Sequence, residues 1–555
     1  MRPGPARDAL LTASAVSAYS QRTGAGLDEA AEAVAAGPSR RSILCAAGVG
    51  LAAAALPLGA ATDAQALART RRESRHSAHG QPTVAIIGAG MAGLGCALRL
   101  RETYGIRAHV YEYDDRIGGR IRTLRGHFHD HQLVEEHAEF INPEHTATLH
   151  LAKRFGLHRD NCDHYPEPNQ DQLTLRFNGK IWPQSKLNHD WHTFGRHLFH
   201  HAAVKQAPWP TKYDHSTKWG RRFDRMSVSE WIDANIPGGT DGDFGKLCIS
   251  AVLDEYGGPP EEQSALNLIY LLGGDASRPS GNQPKSAPVL GGADEKWHIT
   301  GGNDQLITGI LHRLPADTVH VGHKLVALHG HGHGRYKLTL HKDHGHKHLI
   351  ADHVVLALPF TTLRHVDISH AGIGKRHHHA IHEEPLGSNA KMFLQFTERV
   401  WDNADMTGNA YCGGVVQGCW DATGYQPGSS GILAALPGGS IGANWGSRYH
   451  LHGHRGSAPK GMVDDYLTQF NNLFPGVRHC YNGKSHYVWS SGDPHILGAY
   501  SYLKVGQYTK FNGIQGQREG NLHFAGEHTS VNFQGYIEGA LRSGRRCADE
   551  IAGCA

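Results

Sequence analysis

Four residues carry the first recognisable chemistry in this chain: Gly88, Gly90, Gly93 and Glu112. They lie in TVAIIGAGMAGLGCALRLRETYGIRAHVYEYDDRIGGR, from Thr83 to Arg120. Gly88 permits a tight turn, Gly90 lets the backbone approach a pyrophosphate, and Gly93 lets a helix sit close to a sheet. Glu112 follows Gly88 by 24 residues, where a carboxylate reaches an adenosine ribose hydroxyl. A bare GxGxxG arises readily by chance among 69 glycines. The elements around this one make it specific: an apolar strand, the glycine turn, a helix with an apolar face and a second apolar strand leading to the acid. That order predicts a βαβ unit whose helix N-terminus presents N–H groups and the positive end of its dipole to a dinucleotide pyrophosphate.

At 555 residues the chain is long enough for two or more domains. A formal charge of +3 and 19% charged residues give no reason to expect a polyanionic partner. Scattered histidines do not make a basic groove, so nucleic acid is not an expected ligand. The 43 histidines do make the molecule more positive as pH falls through their ordinary range. Residues 1–66 read as a twin-arginine export segment: Ser39, Arg40, Arg41 and Ser42 precede an apolar run from Ile43 to Ala61, and Ala64-Gln65-Ala66 resembles a cleavage site. The mature protein is then secreted or periplasmic. The rival reading is a membrane anchor, since about 19 apolar residues just span a bilayer; Pro57 and the alanine-rich composition weigh against it, and no later segment reads as transmembrane. Residues 67–82 form a linker. None of the nine cysteines forms a close CxxC pair; Cys412 and Cys419 are either a disulfide or two buried thiols.

The nucleotide-binding architecture is expected in three pieces, 83–140, 291–360 and 489–555, with substrate-domain segments 141–290 and 361–488 between them. Helices are predicted over Thr146–Phe155, Val228–Asn235 and Gln263–Leu272 and from Leu306, and strands over His323–Leu340 around a His/Gly turn and over Val354–Leu358. The HGHG and HKDHGHKH stretches and His377–His379 carry enough imidazoles for adventitious Zn, Ni or Cu. Their expected place in solvated turns and surface argues against a functional metal site.

Three further motifs follow in order: Gly118-Gly119-Arg120, PLGSNAK from Pro385 to Lys391, and HFAGEHTSVNFQGYIEGALRSG from His523 to Gly544. Together with the first glycine motif, across residues 83–552, they resemble the flavin amine oxidase family, which includes monoamine, polyamine and L-amino-acid oxidases. The resemblance implies an α/β fold: a split Rossmann-like FAD-binding domain with an α+β substrate-binding domain. It also implies that an amine's α C–H hydride passes to flavin N5 and that molecular oxygen reoxidises the flavin to give hydrogen peroxide. Gly118, Gly119, Arg120, Gly526 and Glu527 match cofactor-binding positions, although an acid at Glu527 also suits a helix cap. Trp489 and Asp493 match positions that shape the cofactor face.

Lys391 matches the lysine that holds a water near N5. A lysine within LGSNAKMFLQF is costly to bury without such a partner; a salt-bridged or snorkelling lysine is the alternative. Tyr500 and Tyr536 match the aromatic pair flanking the amine's route, where facing rings orient the amine and exclude water; ordinary core positions are the alternative. Ala499 stands where monoamine oxidases attach flavin to cysteine, which implies noncovalent FAD.

Two departures from the family pattern bear on substrate. In VEEHAEF, His137 replaces a glycine that approaches flavin closely, so the local backbone or cavity must differ. Glu135 or Glu139 in the same stretch either pairs with a substrate ammonium, favouring a di- or polyamine, or plays a solvated or capping part. The arginine motif that holds the carboxylate in animal L-amino-acid oxidases is not evident, which points to carboxyl-free amines. The expected activity is therefore FAD-dependent oxidative deamination of a primary or secondary amine. An L-amino-acid oxidase giving a 2-oxo acid, ammonia and peroxide is the runner-up, and an FAD-bearing binding protein with little turnover the third reading. The expected partners are the amine or amino acid and oxygen; a homo-oligomer is compatible with all three.

Overall fold

The computed structural model describes residues 81–162, 174–195, 197–273, 295–343, 345–403 and 406–554. The export segment lies outside these residues, as does all of the linker but its last two positions. No helix among the described residues is long and apolar enough to cross a membrane.

The chain folds as α/β. The buried run Val84–Ile87 forms β1, the glycine turn follows, and Met91–Tyr104 forms α1. Gly105 ends that helix in the left-handed region (φ 66°), where its N–H reaches the carbonyls of Leu100 and Arg101. Ala108–Tyr111 forms β2 beside β1. The sheet is completed from distant segments in the order Leu522–Phe524, His353–Leu356, β1, β2, Val319–His320, with every neighbour parallel. The C-terminal helix Ile537–Ile551 closes over α1 at very short range. A Cβ on Gly544 would stand 2.0 Å from the Ala92 carbonyl oxygen, so only glycine allows that approach.

A second, mixed sheet of eight strands faces the first across the molecule's main cavity. Its third strand from one edge is Ala390–Phe396, β3, all seven residues of which are buried, paired antiparallel with Tyr481–Trp489, β4. Helices pack around it. Val228–Asn235 starts with a reciprocal Ser227–Glu230 capping box, and Asp243–Tyr256, α2, buries Phe244, Leu247, Cys248, Ala251 and Val252.

Helices at Thr146–Arg154, Val228–Asn235, Ala265–Gly273 and Gln305–Leu311 lie where hydrophobic spacing places them. Two local expectations are corrected, and the open choice at Cys412 and Cys419 is resolved. HKDHGHKH is a turn only around Asp343: its ends belong to the paired strands Tyr336–Lys342 and Gly345–Ala351, and its histidines hide the alternation because most of the second strand is exposed. His377 is not a surface residue. It is 1% exposed, stacked on Phe524 at 4.2 Å and bonded to Glu519 at 3.1 Å, while His379 on the same helix points outward to Glu383. Cys412 and Cys419 are free buried thiols on neighbouring strands.

Candidate active site

A cavity of about 1060 Å³ is lined from both sheets. At one end the glycines of the first motif shape the backbone. Gly88 adopts φ 105°, and a Cβ there would lie 2.5 Å from the Ala357 carbonyl oxygen. Gly90 precedes α1 without any side-chain cap, and a Cβ on it would meet nothing nearer than the Gly119 Cα at 4.0 Å. Gly118 (φ 120°) donates its N–H to the Ala89 carbonyl at 2.9 Å, and Gly119 (φ 56°) lies against Gly90. The result is an open, side-chain-free cradle at a helix N-terminus. Glu112 lines the same end, where its carboxylate accepts the Ala89 N–H at 2.7 Å and the Asp114 N–H at 2.9 Å; burial raises its pKa. Cradle and acid fit a pyrophosphate and a ribose hydroxyl. Gly93 is not in the wall: a Cβ there would stand 2.0 Å from the Gly88 carbonyl oxygen, so it serves the helix–strand approach.

Arg120 and Glu527 meet in the wall. Arg120 Nη1 donates to Glu527 Oε1 at 2.9 Å and to the Ala499 carbonyl at 2.5 Å. Glu527 Oε2 accepts from Ser501 Oγ at 2.7 Å and from the Gly535 N–H at 2.8 Å. Burial works to raise the Glu527 pKa, yet Arg120 and the surrounding donors hold it below the usual range. This acid ties the turn at Gly526 to the 499–501 stretch and to the Gly118–Arg120 loop. Asp493, Ala499 and Gly526 also line the cavity. Trp489 is not among the lining residues; its ring packs against Gly446 and Gly492.

Lys391 is on β3, 7% exposed, with Nζ 2.6 Å from Glu139 Oε2 and 3.1 Å from the Glu135 carbonyl. Trp420 Nε1 donates to the other Glu139 oxygen at 2.9 Å, and Lys391 Nζ lies 5.2 Å from the Trp420 ring. Glu135 is turned elsewhere, to His298 (2.9 Å), Thr123 (3.0 Å) and the Asn303 N–H (2.8 Å). His137 lines the cavity, and burial pushes its pKa down to about 4, so it is neutral near pH 7.

The tyrosines stand at the other end. Tyr500 Oη donates to the Asp254 carbonyl at 2.7 Å, and Tyr536 Oη to Glu255 Oε1 at 3.0 Å. Both acids come from the last turn of α2, and Glu295 joins them in the wall. Burial, reinforced by Glu255, pushes Asp254 up to about 7; Glu295 is exposed as a residue, but burial of its carboxyl group in the wall and the neighbouring carboxylates push it up to about 8. Sequence reasoning missed these three acids. The available signal was the adjacent pair Asp254-Glu255 at the end of a helix otherwise rich in apolar residues.

The sequence model described as "Flavin containing amine oxidoreductase" matches residues 91–552, most of the chain. The chain belongs to that family. FAD-dependent oxidation of an amine with production of hydrogen peroxide is the function at the level of that family. The pig protein "Amine oxidase [flavin-containing] A" is 24% identical over 504 residues, covering 87% of each chain, and pig "Amine oxidase [flavin-containing] B" is 24% identical over 499 residues, covering 84% of this chain and 85% of the other. Among solved structures, cyclohexylamine oxidase from Brevibacterium oxydans superposes with a TM-score of 0.69 at 19% identity, covering 85% of this chain and 99% of that chain. Putrescine oxidase bound to putrescine gives 0.68 at 19% identity, with the same coverage. At those identities the superpositions speak for the fold.

Proposed function

We propose that this chain oxidises a primary or secondary amine that carries no carboxylate, using noncovalently held FAD and molecular oxygen. The observation that carries the reading is the charge of the wall behind Tyr500 and Tyr536. It presents Asp254, Glu255 and Glu295, and the guanidinium groups that line the cavity elsewhere are engaged: Arg120 with Glu527, Arg455 with Glu136, and Arg116 with the Ile117, Gly119 and Ile121 carbonyls; of the lining lysines, Lys391 is paired with Glu139 and Lys324 lies over the Tyr113 ring at 4.8 Å. A substrate carboxylate would meet repulsion there and no free guanidinium fork. The known substrates named for the two structural neighbours, cyclohexylamine and putrescine, are also carboxyl-free amines.

FAD, when bound, supplies the two-electron acceptor for the amine's α C–H hydride and for return of the electrons to oxygen. The protein's part is placement. Gly88, Gly90, Gly118 and Gly119 leave room for the pyrophosphate at the α1 N-terminus, Glu112 presents an acceptor for a ribose hydroxyl, and the Arg120–Glu527 pair fixes the wall between them. Tyr500 and Tyr536, tethered through their hydroxyls to α2, confine the amine and exclude water around the reacting bond. Lys391 has two of its three N–H groups committed to Glu139 and Glu135, leaving one to hold a water in the cavity. On this reading the parallel sheet is the FAD-binding domain and the eight-stranded sheet belongs to the substrate domain. Export by the twin-arginine route belongs to the same reading, and changing Arg40 and Arg41 to lysine should block it in a secretion assay.

Anaerobic flavin reduction by a matched panel of a monoamine, putrescine, spermidine and the common L-amino acids tests the substrate assignment. Bleaching confined to the carboxyl-free amines is expected. Faster bleaching by an L-amino acid would sink the assignment.

A further inference from the structure

We propose that Glu255 and Glu295, backed by Asp254, receive the substrate as an ammonium ion and take its proton, delivering a neutral amine to the reacting position. This rests on the amine-oxidase reading above and adds an acceptor for the proton that the amine must shed before a hydride can leave its α carbon.

Among the described residues, the wall around these acids offers few donors. Asp254 Oδ2 accepts from Tyr411 Oη at 3.2 Å, while Oδ1 is buried with no hydrogen-bond partner. Asn389, only 2% exposed, donates its Nδ2 to the Leu253 and Asp254 carbonyls at 2.9 and 3.0 Å and so holds the end of α2 in place. Glu255 gives one oxygen to Tyr536, leaving the second for a ligand. Glu295 makes no side-chain hydrogen bond among the described residues and lines the cavity. Carboxylate oxygens that line a cavity without donors among the described residues point to a donor-rich visitor, and an ammonium ion brings three N–H groups and a positive charge.

The titratable groups around the acids support the assignment. Lys391 is the cation facing them from β3, and it is committed to Glu139. Tyr256, Tyr411, Tyr500 and Tyr536 face them from α2, from the strand Ala410–Cys412 and from the C-terminal stretches; burial lifts the phenols further above their ordinary range, so they remain neutral donors. Burial, with mutual repulsion, also lifts Asp254 to about 7 and Glu295 to about 8. An ordinary carboxyl near about 4 would hold a proton taken from an ammonium only weakly. Near neutral pH this set is part-ionised, so one member can attract the cation and accept its proton. In that step an N–H bond of the ammonium breaks, its electron pair stays on nitrogen and an O–H bond forms on the carboxylate. The nitrogen lone pair is then available as the hydride leaves, and the proton returns to solvent with product release.

The test measures protons without turnover. Binding of tert-butylamine, which has no α C–H, to the FAD-loaded enzyme is followed by calorimetry at pH 7.5 in two buffers of different ionisation enthalpy. Wild type should release less than about half a proton per amine bound, because the acids retain it. Glu255→Gln and Glu295→Gln should each raise the release towards about one proton and weaken binding by about tenfold. Glutamine keeps an oxygen for Tyr536, and an unchanged flavin spectrum verifies folding. Release of a full proton by wild type, equal release by wild type and both variants, or no binding by an enzyme whose flavin a substrate amine bleaches would each overturn the proposal. Failure of the amine-oxidase reading is separate: no amine would then bleach the flavin at all.

Discussion

At the glycine end of the cavity Arg120, Glu527 and Glu112 are each bonded within the protein, whereas at the tyrosine end Asp254 keeps a buried oxygen without a donor and Glu295 has no hydrogen-bonded partner among the described residues. The first end is finished by the chain itself and leaves open backbone; the second is left electrostatically incomplete. A cofactor held for the protein's lifetime favours the first arrangement, since preformed donors and space lower the cost of ordering. A substrate that must enter, react and leave favours the second, where its own charge completes the site and is lost on product formation.

The sharpest way to break this contrast is at Gly93 against Gly90. Gly93→Val puts a branched side chain where even a Cβ lies 2.0 Å from a backbone oxygen. Overpacking of backbone against backbone should cost about 3 kcal/mol or more, seen as little folded, yellow protein after purification. Gly90→Ala faces open cavity and should leave the melting temperature nearly unchanged while weakening FAD retention on dilution. Equal effects at the two positions would mean that the cradle is packing, not a binding surface.

Arg120→Ala comes next. It strands Glu527, whose side chain is 4% exposed, among donors arranged for an ion pair. The expected loss is about 3 kcal/mol in chemical denaturation, with parallel loss of bound FAD. Glu527 was legible as a site residue only through its motif. Its contacts with Arg120, Ser501 and Gly535 bring together positions that the sequence keeps far apart. The glycine positions were more legible because a positive φ or a backbone contact admits few other residue types. Asp254, Glu255 and Glu295 were not, since acids occur anywhere on a solvated helix, and their meaning arises only when α2 and the segment after residue 294 converge on the tyrosines. Lys391 stood between these cases: its burial was readable from the apolar stretch around it, but its partner Glu139 required the fold.

pH acts with opposite sign on two buried histidines, one in the cavity wall and one outside it. His528, 4% exposed beside the cofactor end, is pushed down to about 4 by burial. The unfolded chain takes up that proton below about 6.5 and the folded one does not, so stability falls as pH drops from about 6.5 to 4, by about 3 kcal/mol. His298 works the other way. Burial opposes its charge, but Asp160 and Glu135 hold it up to about 9, so its contribution is full below about 6.5 and is lost as pH rises through 9. Denaturation midpoints at pH 5, 7 and 9 should rise and then fall. In His528→Asn the acid limb should flatten, and an unchanged limb would assign it to other groups.

Lys391→Met removes the cation between Glu139 and the cavity. Reoxidation of reduced flavin in stopped flow should slow by about tenfold, about 1.4 kcal/mol, with FAD still bound. An unchanged oxidative half-reaction would leave Lys391 as the buried partner of Glu139 and nothing more.

The smallest expected effect discriminates most finely at the acid end. Tyr536→Phe keeps the ring and removes only the hydroxyl that donates to Glu255 at 3.0 Å. If Tyr536 acts solely as a wall, flavin reduction by the preferred amine should not change. If its hydroxyl also steadies a carboxylate that must exchange a proton, Glu255 loses a donor, its pKa rises further, and less of it is ionised at pH 7. Reduction should then slow by about threefold at pH 7 and recover as pH rises, while Tyr536→Ala, which removes the ring as well, stays slow at every pH. Parallel pH profiles for wild type and Tyr536→Phe would confine the tyrosine to shaping space and would uncouple the aromatic pair from the acids behind it.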